Sequence, residues 1–370
     1  MEINTLIRLP FYAKTSLFLI GLYIFTSILS IAQDIILPLI YATIIAISIS
    51  PGVNFLVRKK INRTLAIFVV LIVALLFIVA LILLIVTQAS LMGQAWPQLL
   101  DKFESLLNEG IAWASGSFDI SIQQINARIA KFKAELLNNS SAAIGITLTT
   151  MSGVLASIFL TPVYIFMILY YQPHLIEFTH RLFGVDNDNK VREILSETKG
   201  IIQGYLVGLF AEFAIIAVLN IIGLWVLRLE YAILLGILGA LLNVIPYLGG
   251  LIAMALFAAI ALVTKSPVYV LYVIALYTLI QLIDNNYIVP KIVGSKVKLN
   301  ALISIIVVIA GAALWGIPGM FLSIPLTAIV KLILDRIEPW KPWGFLLGDT
   351  MPPLVKLDLK FKKKTTKKSE

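Results

Sequence analysis

Residues 231–263 read YAILLGILGALLNVIPYLGGLIAMALFAAIALV, and this stretch decides the fold of the chain. It holds no Asp, Glu, Lys or Arg, and it is longer than the roughly 20 apolar residues that cross a bilayer as one helix. Its middle, Asn243–Gly250, contains a proline and two adjacent glycines, which interrupt helices. The stretch therefore predicts either one long kinked crossing or a re-entrant helical hairpin.

The composition of the whole chain indicates a helical membrane protein. Of its 370 residues, 60% are hydrophobic and 13% are charged, and the mean hydropathy is +0.97. A soluble domain carries about 25% charged residues and cannot bury this much apolar surface. The composition excludes an ordinary cytosolic enzyme and a disordered chain, and a β-barrel would show alternating segments of about ten residues instead.

The apolar segments predict an all-α polytopic membrane protein with about six full transmembrane helices and two broken or re-entrant hairpins. These make about eight hydrophobic segments, and a small helical extracytoplasmic insert lies between the third and fourth. The second broken block is interrupted by Gly316-Ile317-Pro318-Gly319. The predicted full spans are 16–32, 35–49, 65–86, 142–171, 201–227 and 268–289, and the broken blocks are 231–263 and 301–334.

Basic residues set the predicted topology, because Lys and Arg collect on cytoplasmic loops. Arg58-Lys59-Lys60 with Arg63 form a loop without an acid, which places that loop and both termini in the cytoplasm. Lys291, Lys296 and Lys298 are also cytoplasmic only if the broken blocks turn back or cross twice. Charge alone does not fix how deep the tips of the two hairpins reach.

The same reasoning divides the chain into five regions. The polar insert carries apolar residues at heptad spacing, from Ile122 to Leu136, which predicts either a hairpin that packs on itself or a contact between subunits. The regions are 1–87 with the N-terminal spans, 88–140 with the insert, 141–200 with one span and a cytoplasmic amphipathic segment, 201–336 with the inverted hairpins, and 337–370 with a basic cytoplasmic tail.

An internal repeat links the two broken blocks. Gly239-Ala240 and Ile245-Pro246 recur, at the same mutual spacing, as Gly311-Ala312 and Ile317-Pro318. One span separates the two copies, so they enter the membrane from opposite faces. Inverted pairs of segments that Gly and Pro interrupt are typical of a transport site near the membrane midplane.

These residues resemble the AI-2E family of bacterial membrane proteins, whose members are associated with export of the quorum-sensing autoinducer 2. The resemblance is strongest from residue 200 onward and rests on a set of motif residues: Asn243, Pro246, Tyr247, Gly249, Gly250, Gln281, Asp284, Asn285, Pro290, Gly294, Gly316–Gly319 and Pro325. It implies a secondary transporter of the bacterial inner membrane for AI-2 or another small solute. Some members resemble sodium/proton antiporters, and the family implies a homo-oligomer, with a pentamer as the expected form.

Asp284 is the leading candidate for binding a polar solute or an ion such as H⁺ or Na⁺, because acids within spans are rare and usually face a cavity or a partner. The alternative is an acid at the helix end that pairs with Lys291 or Lys296. Glu212 is the candidate proton site if transport is coupled to protons, and Asn220 is predicted on the same helix face. The predicted solute or ion site is Asp284, Asn285, Gln281, Asn243 and Glu212, and the predicted hairpin breaks are Pro246, Gly249, Gly250, Pro318 and Gly319.

No enzyme signature accompanies these residues. The chain has no cysteine, only two histidines and no phosphate-binding GxxxxGK[ST] motif, so the sequence predicts no cofactor, no metal site and no ATP hydrolysis. The net charge of +9 is explained by cytoplasmic loops and lipid contact, and no nucleic acid partner is expected. A passive oligomeric channel and a non-transporting scaffold remain as alternatives to a transporter.

Overall fold

The computed structural model describes residues 10–118, 159–183, 188–246, 248–294 and 297–350, and these are almost entirely helical. The helices are α1 (Phe11–Ile31), α2 (Gln33–Arg58), α3 (Arg63–Phe118), α4 (Phe159–Tyr170), α5 (Gln172–Phe183), α6 (Asp188–Val226), α7 (Ala232–Asn243), α8 (Leu248–Thr264), α9 (Pro267–Ile283), a π-helix (Asp284–Gly294), α10 (Ala301–Arg336), a 3₁₀ turn (Glu338–Trp340) and α11 (Lys341–Leu347).

Six described helical segments are long and apolar enough to cross a membrane, which confirms a polytopic all-α fold. The segment 159–183 is a possible seventh crossing, because α4 and α5 meet at Tyr171 with a bend of 65°. The bend lies nine residues after Pro162, and the first part of the predicted span 142–171 lies outside the described residues. The six segments are Phe11–Ile31, Gln33–Arg58, Arg63–Gly93, Asn189–Val226, Pro267–Gly294 and Ala301–Arg336.

Helix α6 is the central element, because α2, α5, α7, α9, α10 and the π-helix all contact it. Its polar start, residues 188–200, is continuous with the apolar part, so the predicted boundary near residue 200 falls inside one helix. Tyr205 and Leu206 of α6 are buried with Leu322 of α10, while Ile216 is buried with Ala240 of α7. One helix therefore holds both broken blocks in place.

The first broken block is a helical hairpin. Helices α7 and α8 are 12 and 17 residues long, and residues 244–246 between them are not helical. The two arms pack side by side, since a Cβ atom on Gly239 of α7 would collide with the ring of Phe257 on α8. Of the two alternatives for this block, the hairpin is the observed one.

The second broken block also folds back on itself. Its two arms both lie within the 36-residue helical range Ala301–Arg336. Trp315 and Gly316 depart from helical geometry, and Gly316 has a φ of 63°. Residues 311 and 323 would be about 18 Å apart in a straight helix. A Cβ atom on Gly311 would instead lie 3.2 Å from the Cβ atom of Ser323. The arms are therefore antiparallel, as in the first hairpin.

The second hairpin has identifiable contacts at its tip and at its base. The tip of the second lies near the α1–α2 turn, because the indole Nε1 of Trp315 donates to the carbonyl oxygen of Leu29 at 3.0 Å. Its base lies at the other end of the molecule, where Arg336 contacts Glu193 and Glu197 at the start of α6. The second hairpin therefore extends from the start of α6 to the α1–α2 turn.

The span between the hairpins is not an ordinary α-helix throughout. Residues Asp284–Gly294 adopt π-helical geometry and include Pro290. A proline in an α-helix clashes with the preceding turn and lacks an N–H donor, and a wider turn relieves both problems. Asp284 thus lies at the junction between the α-helical and π-helical parts.

The insert begins as a continuation of α3. This helix extends to Phe118, well past its membrane segment Arg63–Gly93, and therefore into the predicted insert 88–140. The heptad-spaced stripe from Ile122 to Leu136 lies outside the described residues. The choice between a self-packed hairpin and a subunit contact therefore stays a prediction.

The start of the predicted C-terminal tail folds back onto the base of the second hairpin. Asn300 caps α10, since its Oδ1 accepts from the amide of Ile303 at 2.8 Å. Its Nδ2 donates to the carbonyl oxygens of Leu346 and Gly348 at 2.7 and 3.1 Å. One asparagine therefore joins the entry of the second hairpin to α11, which follows its exit.

Candidate functional site

Two buried carboxyl groups meet at the tip of the first hairpin. The Nδ2 of Asn243, the last residue of α7, donates to Asp284 Oδ2 at 2.8 Å and to Glu212 Oε1 at 3.3 Å. Asp284 is 2% exposed and Glu212 is 8% exposed. Three elements, α6, α7 and the π-helix, each supply one of these side chains, so the site exists only when all three are packed together.

Two further side chains from α9 complete a hydrogen-bonded network. Gln281 Nε2 donates to Asn243 Oδ1 and to the hydroxyl oxygen of Tyr277, both at 2.9 Å. Both N–H groups of the Asn243 amide therefore donate to carboxylates, and its oxygen accepts from Gln281. Its orientation is fixed from both sides, because a rotated amide would place its oxygen against two carboxyl groups.

The hairpin tip is shaped so that Asn243 can reach this position. Beyond α7 the chain turns tightly, and the amide of Ile245 donates to the carbonyl oxygen of Leu242 at 2.8 Å. A Cβ atom on Gly249 would collide with the carbonyl group of Leu242, so only glycine permits this turn. A Cβ atom on Gly250 would lie 3.3 Å from the Tyr277 hydroxyl, so this glycine brings α8 close to α9.

The network lines a cavity of about 650 Å³. Hydroxyl groups of Thr278 and Ser304 and the amide of Asn285 add further polar atoms to the wall, and Pro246 contributes from the hairpin tip. Glu212 and Asp284 are acidic, and none of the described lining residues is Lys, Arg or His. The cavity is therefore suited to a cation or a neutral polar solute and is unfavourable for an anion.

The cavity lies within the apolar thickness of the bundle. Glu212 precedes the end of α6 at residue 226 by 14 residues, which is about 21 Å of helix. Asp284 follows the start of α9 at residue 267 by 17 residues, or about 25 Å. Both lengths fall within a hydrocarbon layer about 30 Å thick.

The structure brings together four of the five predicted solute-site residues and places the fifth nearby. Asp284, Gln281, Asn243 and Glu212 form the network, while Asn285 is exposed and lies on the cavity wall. The predicted breaks of the second hairpin do not line this cavity. Pro318 accepts a hydrogen bond from the Tyr41 hydroxyl at 3.3 Å, and Gly319 contacts Gly311.

One oxygen of the network has no protein partner. Within the described part of the chain, Asp284 Oδ1 is buried and no group donates to it. A buried acceptor without a donor costs about 1–3 kcal/mol, and more when it is charged. Asp284 also lines the cavity, so this carboxyl group is the candidate for binding a donor or a cation there.

With this geometry in view, comparisons with known proteins identify the family. The model of the AI-2E family transporters matches residues 13–338. The chain belongs to the AI-2E transporter family. It is therefore a multi-pass membrane protein of a bacterial transporter family, and the relatives named below are called transport proteins.

Relatives in this family match along most of their length. YueF of Bacillus subtilis is 27% identical over 335 residues, which cover 85% of this chain and 87% of YueF. TqsA of Escherichia coli, named as an AI-2 transport protein, is 27% identical over 324 residues and 86% of this chain. A transport protein of Haemophilus influenzae is 25% identical and covers 91% of this chain.

Some residues of the cavity were not predicted from the sequence of this AI-2E family member. Tyr277 lies four residues before Gln281 and therefore on the same helix face, a spacing that could have identified it. Ser304 belongs to the second hairpin but reaches the cavity of the first, and no local pattern indicates this contact. The π-helix had one possible signal, Pro290 four residues after the polar run Asp284–Asn286 in an otherwise apolar span.

Proposed function

We propose that this protein is a secondary transporter that moves a small polar solute or ion across the bacterial inner membrane by alternating access around its two hairpins. The observation that carries the proposal is the network of Glu212, Asn243 and Asp284 at the tip of the first hairpin. A hairpin tip that holds a polar site can expose it to either side by a small movement. The acidic cavity wall favours a cation or a neutral hydroxylated solute.

Autoinducer 2 is the first solute to test. TqsA, a relative over most of the chain, is named as an AI-2 transport protein. A small hydroxylated molecule fits a wall of amides, hydroxyls and carboxylates, because every one of these groups accepts a hydrogen bond. Export would run from the cytoplasm and would draw on an ion gradient.

Sodium/proton antiport is the second candidate, and one observation favours it. Asp284 Oδ1 is unpartnered among the described residues, and Asp284 lines a cavity whose lining residues carry hydroxyl and amide oxygens. Oxygen ligands suit a small hard cation, and a proton can occupy the same carboxyl group in its absence. The two candidates share the site and differ in the species that crosses.

Flux measurements in proteoliposomes separate the candidates. For AI-2 transport we expect saturable uptake that increases when a proton or sodium gradient is imposed. For antiport we expect sodium influx that drives proton efflux without AI-2. Flux that ignores both gradients would indicate a passive channel, and the absence of any flux would indicate a scaffold; either result would overturn the proposed transporter.

The topology expected for such a transporter is testable with single cysteines, because the native chain has none. We propose that both termini are cytoplasmic. Lys60→Cys and Lys298→Cys should react with an impermeant maleimide only after the cells are opened, whereas Ser266→Cys at the start of α9 should react in intact cells. Labelling of Lys298→Cys from outside would contradict the two-hairpin topology.

The homo-oligomer implied by the family resemblance stays part of the proposal. Helix α1 has no buried residue, and only 6% of the membrane segment of α3 is buried within the chain. These apolar surfaces are available to lipid and to neighbouring subunits alike. The size of the purified protein in detergent tests the pentamer directly.

A further inference from the structure

The turn between α2 and α3 presents a fixed group of positive charges. Lys60 has a φ of 64°, and the amide of Ile61 donates to the carbonyl oxygen of Leu56 at 3.2 Å, which closes the end of α2. The side chains of Arg58, Lys59 and Lys60 are exposed, and the sequence has no acidic residue between positions 34 and 101. The charge of this turn is therefore not balanced by neighbours along the chain.

Helix α5 is amphipathic, and its apolar side is exposed in the described part of the chain. It starts one residue after α4 and is bent away from that helix by 65°. Its polar side carries the Glu177–Arg181 ion pair, with N and O atoms 2.9 Å apart. Four apolar side chains occupy one arc of the helix and are 40–62% exposed: Leu175, Ile176, Phe178 and Leu182.

Arg63 fastens the start of α5 beside the basic turn. Its Nη2 donates to the carbonyl oxygen of Leu169 at 2.8 Å and to Gln172 Oε1 at 3.0 Å. These two acceptors lie on either side of the bend at Tyr171. One arginine from the start of α3 therefore holds the uncovered apolar helix and the exposed cations at the same end of the bundle.

We propose that Arg58–Lys60 and α5 form one binding surface for anionic phospholipid headgroups. The apolar side of α5 lies in the acyl region, as in other interfacial helices, while the basic turn contacts the phosphates. Lys59 already places its charge beside an apolar group, since its Nζ lies 4.6 Å from the centre of the Phe55 ring. A cation held over an apolar ring is positioned at the boundary between acyl chains and headgroups.

The membrane itself is the occupant that these observations favour. The surface continues directly from α4, and it combines an apolar face with uncompensated positive charge. A soluble protein partner would have to cover the apolar side of α5 at the position where the bilayer begins. Helix α5 has one acid, Glu177, and Arg181 neutralises it, so α5 offers no net negative charge to repel a phosphate.

The test is the affinity of the full-length protein for phosphatidylglycerol, measured by native mass spectrometry and by thermal stabilisation in neutral detergent. A lysine near the headgroups contributes about 1 kcal/mol, so Lys59→Gln with Lys60→Gln should weaken this affinity about 30-fold. Phosphatidylcholine should stabilise wild type less than phosphatidylglycerol does. The control removes two exposed cations elsewhere, Lys102→Gln with Arg228→Gln, and should bind as wild type does.

A second variant tests the apolar half of the surface. Phe178→Gln with Leu182→Gln should lower the stabilisation by phosphatidylglycerol while leaving the oligomer unchanged. The proposal is overturned if the lysine variant keeps the wild-type affinity, or if phosphatidylcholine stabilises equally. It is also overturned if the α5 variant dissociates the oligomer at unchanged lipid affinity, because α5 would then contact a second copy of the chain.

Discussion

Asp284→Asn should reduce transport about 10- to 100-fold while the protein folds normally. The asparagine has nearly the same shape and still accepts the hydrogen bond from Asn243, which lies at 2.8 Å in the native site. It removes the charge, and hydrogen bonds to a charged group are worth about 1.5–3 kcal/mol. Because a buried charge also costs stability, the melting temperature should be unchanged or higher.

The control for this charge removal is Asp335→Asn. Asp335 is paired with Lys331 at 2.5 Å near the end of α10, away from the cavity. A partly exposed pair of this kind contributes about 0–1 kcal/mol, so transport should stay near the wild-type rate. Initial rates in proteoliposomes, with the melting temperature and oligomer size of each variant, make the comparison. Full transport by Asp284→Asn would mean that the network is not the solute site.

Gly249→Ala and Gly319→Ala should each destabilise the protein and stop transport. The added Cβ atom would collide with a main-chain carbonyl group, that of Leu242 in the first hairpin and that of Gly311 in the second. Backbone cannot move aside as a flexible side chain can, so the cost should reach the upper end of the about 1–3 kcal/mol typical of overpacking. Thermal unfolding and solute flux measure the two effects.

Glycines in open surroundings provide the matched control. A Cβ atom on Gly21 or Gly200 would meet nothing within 4 Å, and both residues lie in helices. Alanine should stabilise these positions by about 0.5–1 kcal/mol, because glycine costs conformational entropy in a helix. The change from glycine to alanine should therefore lower the stability of the protein at the hairpin tips and raise it at these two open positions. Equal melting temperatures in Gly249→Ala and Gly21→Ala would contradict the tight hairpin tip.

The fold was predictable where one local property decides it. The lengths of the apolar segments and the positions of the Gly and Pro breaks predicted spans and hairpins correctly, because lipid leaves the backbone few alternatives to a helix. Helix ends were less predictable. The sequence divided residues 188–226 and 63–118 into polar and apolar parts, yet each forms one helix, since a polar stretch can continue an α-helix into water.

The residues of the site were predictable individually but not as a site. A carboxyl group or an amide in an apolar span is conspicuous in the sequence, which is why Glu212, Asn243 and Asp284 were chosen. Nothing in the pattern indicated that a single amide would donate to both acids. Ser304 was missed for the same reason, since only packing brings its hairpin to the cavity.

The sequence by itself determined that this chain crosses a membrane, that two of its helices break, and that the breaks and the acids within spans lie in its C-terminal half. Each of these follows from transfer energies and backbone geometry along a few neighbouring residues. Only the tertiary structure decided that Glu212 and Asp284, 72 positions apart, share the amide of Asn243. It also decided that the tip of the second hairpin lies near Leu29, because that hairpin packs against both α6 and α1.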